Sequence, residues 1–283
     1  MINVIYHKNC FDGMASAYVC SLKFGTDPKK VKYIPAGYDD EKLQHNLMQD
    51  CYENANINDE YVIVDFSFSH ELMKLLADKA PIIVLDHHKT AQANCEGLDF
   101  CKFDMNESGA TMVWKHFFPN QPIPNLIRYI KDRDLWLFQE RASQEVNAFI
   151  QSFPMTIIDY ARLHGTLDND LEGVIKSGES IERYKNTMIQ TGAKFAWFGK
   201  IAGYEVPIAN ATMLFSEIGN ELCKQLSNYP FSAYFTIKPN GKVQWGLRSI
   251  GEFDVSEIAK KYNGGGHKNA AGFVRDDYNF RDF

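Results

Sequence analysis

The chain has 283 residues, 45% of them hydrophobic and 23% charged, with a formal net charge of −6 and a mean hydropathy of −0.33. That balance belongs to soluble globular proteins, and the length suffices for two domains of ordinary size. The acidic balance argues against coating long nucleic acid through a basic face, and no apolar run approaches the roughly 18 residues of a membrane span.

The N-terminus lacks a cationic start followed by a long apolar run, so no signal peptide is expected. Six scattered cysteines, Cys10, Cys20, Cys51, Cys95, Cys101 and Cys223, include no CxxC pair. Free thiols in a reducing cytoplasm are the reading.

The first half alternates short apolar runs with amphipathic ones. Residues 2–7 read as a strand and 13–24 as a helix; 31–36 form a weaker strand, and 41–52 a helix. Residues 61–67 are a β-branched strand, after which Ser69 reads as the N-cap of a helix over 70–80. Residues 81–88 are the next strand. Near-continuous apolar strands separated by helices predict an α/β domain with a parallel sheet covered on both faces.

From about Gln121 to Phe195 the chain reads as mostly helical, with its clearest segments at 125–138 and 178–195. Beyond residue 200 the pattern changes to strands at 202–211, 231–239 and 242–250, with Asn240-Gly241 a hairpin turn, and helices at 216–226 and 254–262. The domains expected are 1–165, a helical connector 166–196, and a smaller α/β domain 197–283.

Three strands of the first domain end in metal-ligand residue types. One ends at His7, just before Cys10 and Asp12; another at Asp65; a third at Asp86, His87 and His88. In open parallel sheets ligands bind outside the carboxyl ends of the strands, so these residues converge if the strands are neighbours. Any one of them alone reads more simply as a turn or cap residue. Their coincidence at one end of three strands carries the functional reading.

Asp132 and Asp134 could complete the ring, although beside Arg133 they also fit a solvated helix face. Carboxylates and imidazoles suit hard or borderline divalent ions. With one carboxylate bridging, they hold two metals ~3.5–4 Å apart for phosphoryl displacement. Mn²⁺ or Mg²⁺ is favoured over structural Zn²⁺, because no cysteine cluster closes a tetrahedron.

The second signal is the segment 263–273, NGGGHKNAAGF. Its glycines permit close approach to an anion, and a helix at 268–271 would add a favourable dipole. A glycine triplet is equally a plain loop. His267 and Lys268 offer direct contacts. Arg248, at the end of a strand, offers bidentate phosphate recognition or an ordinary salt bridge.

The segments LDHHKT, HKNCFDG and VDFSFS, followed by LRS and GGGHKNAAGF, resemble the DHH phosphoesterase superfamily and its C-terminal associated domain. The opening N-x-x-D-G is closest to the nanoRNase, oligoribonuclease-like branch. The resemblance implies that His7 ligates a first metal, Asp12 and His87 a second, and that Asp65 bridges them. His88 would face the substrate and Asp86 would orient an imidazole. Asp134 best matches the fourth motif, with Asp132 the fallback. Arg248, Ser249, Gly265, Gly266, His267 and Lys268 match the substrate-contact motifs.

One departure stands out: the family's Asp-x-Asp is Cys10-Phe11-Asp12 here. Cys10 either ligates as a thiolate, shifting preference towards softer ions such as Zn²⁺, or stays neutral and buried.

The implied function is a cytoplasmic, Mn²⁺-dependent phosphoesterase with two ions, Mg²⁺, Co²⁺ or Zn²⁺ being alternatives. It would act from a cleft between two domains on phosphodiester bonds of short 5′-phosphorylated oligonucleotides or dinucleotides, through a metal-activated hydroxide. Alternatives are a nucleotide phosphatase, a cyclic (di)nucleotide phosphodiesterase, or a non-catalytic nucleotide-binding protein. Trp245, Phe66 or Phe68 could stack a base; at strand positions they also read as core. No membrane partner is expected, and the sequence leaves monomer and homodimer both open.

Overall fold

A computed structural model describes residues 1–38, 41–53, 59–280 and 282. The chain divides into two compact units, Met1–Ile181 and Glu182–Phe283. Among the described residues no helix is long and apolar enough to cross a membrane.

The first unit is built on five parallel strands: β1 (Ile2–His7), β2 (Val31–Ala36), β3 (Glu60–Val64), β4 (Ile82–Asp86) and β5 (Cys101–Phe103). Their order is β2-β1-β3-β4-β5. The strands that end in His7, Asp65 and Asp86 are therefore adjacent, and the order reverses beside β1, a topological switch point.

Alternation along each strand divides the core in two. Val4, Val62, Val64 and Leu85 pack beneath α1 (Phe11–Phe24), α5 (Gly109–Phe117) and α6 (Asn125–Asp134). Ile5, Ile63 and Val84 face α3 (His70–Ala77) with its Leu72, Met73 and Leu76. Both faces are covered, as continuous apolar strands require.

Ser69 caps α3, its side chain accepting from the Leu72 amide at 3.4 Å, a cap worth about 1 kcal/mol. β5 escapes the sequence pattern because it has three residues. Beside it lies the short α4 (Gln92–Cys95), while α2 (Glu41–Glu53) packs with α3; the chain continues through α7 (Ser143–Gln151), α8 (Ile157–Asn169) and α9 (Leu171–Lys194), whose residues from Glu182 onward belong to the second unit.

The expected helix over 125–138 stops at Asp134. Trp136 and Phe138 adopt left-handed backbone with φ of 57° and 51°, and the Asp132 carboxylate accepts from the amides of Gln139 and Glu140 at 2.8 and 3.1 Å. An apolar LWLF run looks helical; the side chain that folds the chain back over the helix end lies upstream of it.

The second unit carries a six-stranded sheet in the order β10-β11-β9-β8-β7-β6. The strands are β6 (Trp197–Ile201), β7 (Tyr204–Asn210), β8 (Ser232–Ile237), β9 (Val243–Arg248), β10 (Gly265–His267) and β11 (Ala270–Arg275). β7 and β8 pair in parallel, with α10 (Phe215–Gln225) between them in sequence, as a crossover demands.

β8 and β9 are antiparallel, joined at Asn240-Gly241, where Gly241 has φ +83°. The hairpin turn is thus where the Asn-Gly pair places it. One sheet face packs on α11 (Val255–Lys260) through Val255, Ile258 and Ala259.

Two expectations change here. No helix follows the glycine triplet: Lys268 and Asn269 form the turn of the β10–β11 hairpin. Trp245 and Phe66 are fully buried and Phe68 nearly so; all three are core residues and none can stack a base. The free thiols described are Cys10, Cys20, Cys95, Cys101 and Cys223; the Cys51 side chain lies outside the described residues.

Candidate metal centre

Two glycines let the donor-bearing elements meet. A Cβ on Gly13 would collide with the carbonyl of His7, so α1 can begin against the end of β1 only with glycine there. A Cβ on Gly109 would lie 2.5 Å from the Asp65 Cβ, so α5 likewise starts against β3. Asp65 itself has φ 53°. Left-handed backbone at a non-glycine residue is costly and recurs at functional sites. Motif reading of the sequence passes over Gly109 and its N-cap Ser108. The signal that could find them is the Ser-Gly-Ala-Thr stretch, which forms a capping box.

Around this junction the side chains form groups whose donor atoms lie within 4.8 Å of one another, among them His7, Cys10 and Asp65; Asp12, His87 and Asp134; and Asp65, Asp86 and His88. Asp65 faces the first two. Its Oδ1 is 3.0 Å from His87 Nε2 and its Oδ2 is 3.5 Å from His7 Nδ1. His87 Nε2 also stands 3.7 Å from Asp12 Oδ2 and 3.5 Å from Asp134 Oδ2.

Asp12 is anchored by the first amides of α5, accepting from Gly109 at 2.5 Å and Ala110 at 3.1 Å. Asp134 is therefore the acid of the helical region that reaches this junction. Asp132 is engaged with the Gln139 and Glu140 amides.

Asp86 does different work. Its Oδ1 accepts from the backbone amides of His87 and His88 at 2.7 and 3.2 Å and from His88 Nδ1 at 2.8 Å. It fixes the turn after β4 and the tautomer of His88 together.

Electrostatically the group is poised for cations. Burial, then the neighbouring Asp65 and Asp134 carboxylates, push the Asp12 pKa well up. Burial also raises Asp134 against the opposing pull of His87. Burial would lower His87, but the Asp65 hydrogen bond and the surrounding carboxylates raise it to about 10. Burial works to raise Asp65, yet the neighbouring His7 imidazole and the hydrogen-bonded His87 hold it well below the carboxylate range.

Buried acids that must share protons to coexist are a donor set for divalent ions. The hydrogen-bond pattern fits such ions: Asp65 Oδ2, Asp134 Oδ2 and His7 Nδ1 are buried and accept or donate no hydrogen bond among the described residues. A buried polar atom so placed calls for an ion or a water.

The second unit's motif residues are arranged otherwise. Arg248 donates to the Leu247 carbonyl at 2.8 Å and to Ser216 Oγ at 2.7 Å, with its guanidinium over the Tyr234 ring. Ser249 Oγ donates to the Phe253 carbonyl at 2.7 Å and accepts from Asn269 at 2.9 Å. Lys268 pairs with the exposed Glu252 at 2.7 Å.

Gly265, Gly266 and His267 form β10, where Gly266 has φ +140° and leaves no room for a side chain beside Ala270 and Ala271. Asn269 ties the hairpin tip to the Ser249 turn, a role that nothing in its sequence context announces.

The DHHA1 domain family matches residues 208–283. The chain is 30% identical over 291 residues to the uncharacterised protein R106 of Acanthamoeba polyphaga mimivirus, covering 96% of this chain and 66% of that one. It is 25% identical over 299 residues to oligoribonuclease NrnB of Bacillus subtilis (strain 168), covering 95% and 71%.

Among solved structures, the DHH domain of a protein assigned to a family of ribosomal proteins superposes with a TM-score of 0.54 at 14% identity, covering 97% of this chain and 82% of that one. PggH, a pGpG-specific phosphodiesterase of Vibrio cholerae, superposes at 0.50 with 13% identity, covering 97% and 93%. These two likenesses describe the fold.

Proposed function

We propose that this chain, which belongs to the DHH phosphoesterase superfamily, hydrolyses phosphodiester bonds of short oligonucleotides or dinucleotides with the help of divalent metal ions. The observation that carries the reading is Asp65, a buried strand-end carboxylate with one oxygen towards His87 and the other towards His7. A bridging ligand between two metal positions needs that disposition. His7, Cys10 and Asp65 would hold one ion, and Asp12, Asp65, His87 and Asp134 the other. When bound, the pair supplies water activation and neutralises charge building on the phosphoryl oxygens. The carboxylate-rich donor set suits Mn²⁺, and the imidazoles also admit Co²⁺ or Zn²⁺.

The chain's own residues do the rest. With Nδ1 of His88 engaged by Asp86, proton exchange with the leaving oxygen runs through Nε2. Arg248, pre-set by Ser216 and Tyr234, and the segment Ser249, Gly265, Gly266, His267 and Lys268 are assigned to the substrate phosphate. Tyr38, half exposed with its ring 5.6 Å from that of His7 and 5.9 Å from that of His88, replaces the buried aromatics as the base-stacking residue. The free thiols support a reducing, cytoplasmic setting.

The test is Mn²⁺-dependent turnover of a panel: 5′-phosphorylated dinucleotide, longer RNA and DNA, adenosine bisphosphate, cyclic nucleotides and pyrophosphate, with Asp65→Ala alongside. Mononucleotide release from the dinucleotide, lost in the variant, is expected. Turnover of another panel member alone would retain the chemistry and overturn the substrate. Silence with every divalent ion would leave a nucleotide-binding protein.

A further inference from the structure

We infer that the two metal positions are chemically unlike. His7, Cys10 and Asp65 form a nitrogen–sulfur–oxygen site for a thiophilic divalent ion such as Zn²⁺ or Co²⁺. Asp12, His87 and Asp134, with the shared Asp65, form a harder site suited to Mn²⁺. This rests on the reading of the junction as a metal centre and adds which ion goes where.

Cys10 does not stand alone. It shares the His7–Asp65 group, whose donor atoms all lie within 4.8 Å of one another. Asp65 is fully buried, and its Oδ2, the oxygen turned to this group, takes no hydrogen bond among the described residues. Bonds of ~2.3 Å to sulfur and ~2.0–2.1 Å to nitrogen and oxygen give tetrahedral donor–donor edges of roughly 3.3–3.6 Å. The His7–Asp65 edge is 3.5 Å, already of that length.

The remaining separation closes with a sub-ångström to ångström-scale movement of the thiol, about what a side-chain adjustment supplies. The geometry points to an ion gripped by three protein donors with a position left for a further ligand, the arrangement of a catalytic rather than a structural site.

Ligand softness then separates the two positions. A thiolate in the first set selects Zn²⁺ and Co²⁺ over Mn²⁺ and Mg²⁺, while three carboxylates, the shared Asp65 among them, and one imidazole in the second accept the harder ions. As the metal–sulfur bond forms, the thiol proton leaves to solvent, so loading the first site releases that proton.

Apo full-length protein, prepared by chelation under reducing conditions, is titrated with Co²⁺ and followed by absorption. The expected result is a near-ultraviolet sulfur-to-cobalt charge-transfer band alongside visible d–d bands. In Cys10→Ser the charge-transfer band disappears, d–d absorption from the second site persists, and Zn²⁺ affinity at the first site falls by more than about 100-fold, beyond the loss of a supporting partner. In Cys10→Asp the band is absent and calorimetry shows Mn²⁺ tightening at the first site. Circular dichroism verifies that both variants are folded.

Co²⁺ binding by the native protein without a charge-transfer band, or a band retained in Cys10→Ser, would overturn the inference and leave the phosphoesterase reading standing. Failure of the native protein to bind Co²⁺, Zn²⁺ or Mn²⁺ at all would remove both.

Discussion

The ends of β3 and β9 make an instructive pair. Each places a functional-type residue beside a glycine that permits close packing, Asp65 against Gly109 and Arg248 against Gly219. At β3 the polar atoms are left partly uncommitted: Asp65 Oδ2 is buried without a hydrogen bond among the described residues. At β9 they are committed within the fold, Arg248 to Ser216 and the Leu247 carbonyl, and the next residue, Ser249, to Phe253 and Asn269. A buried unsatisfied acceptor is a cost that only a further partner offsets. A satisfied guanidinium is a pre-oriented tool whose binding face is set before the ligand arrives. On the proposed reading, the first region takes up ions and the second holds a shape.

The largest effect that follows is at Asp65. Asp65→Asn keeps the shape and removes the charge that serves both metal positions. Turnover of the dinucleotide should fall about 10³-fold or more, equivalent to roughly 4 kcal/mol of transition-state stabilisation. Thermal melting of the apo protein should fall, because the buried His87 imidazole loses the carboxylate that holds its proton. Undiminished turnover would erase the contrast between the two strand ends.

Asp86→Asn comes next. It frees His88 and the turn after β4 while leaving the proposed ligand side chains themselves in place, so kcat should fall about 10- to 100-fold with a displaced pH profile and little change in metal affinity. A loss of metal binding equal to that of Asp65→Asn would place Asp86 among the ligands. At the other strand end, Arg248→Ala should raise KM about tenfold or more with kcat less affected, and Ser216→Ala should produce a smaller version of the same change. An Arg248 effect confined to kcat would make it part of the chemistry.

What can be read from the sequence divides along the same line. Strand-end donor types are legible because β-branched runs mark β1, β3 and β4, and residues such as His7 and Asp86 stand where those runs stop. The adjacency of the strands can only be conditional, since order in a sheet is a tertiary fact. Choosing between Asp132 and Asp134 requires knowing that one carboxylate folds back onto Gln139 and Glu140.

The β10–β11 hairpin is hidden because glycine carries no period-two signal. Gly264 serves close approach to the Gly272 carbonyl there, whereas the triplet alone suggests an anion nest. Phe66, Phe68 and Trp245 present themselves as stacking surfaces because aromatic type says nothing of burial.

The smallest prediction concerns the acid that braces α5, the helix whose first amides hold Asp12. Glu107 accepts from Lys115 at 2.7 Å, Lys131 at 2.9 Å and Thr111 at 2.8 Å. Partial burial works to raise its pKa, but these three hydrogen bonds and the Lys131 charge outweigh it and lower the group from 4.5 to about 2.

A carboxyl depressed on folding stabilises fully above its unfolded pKa and loses that contribution as pH falls through the folded one. Glu107 therefore adds to the acid sensitivity of the fold between pH 4.5 and about 2. Urea denaturation across that window should show a steeper loss of stability in the native protein than in Glu107→Gln, with the two curves drawing together at the acid end. Parallel curves would mean that the two lysines hold α5 no more firmly than surface pairs do, and that Asp12 owes its position to the Gly109 and Ala110 amides alone.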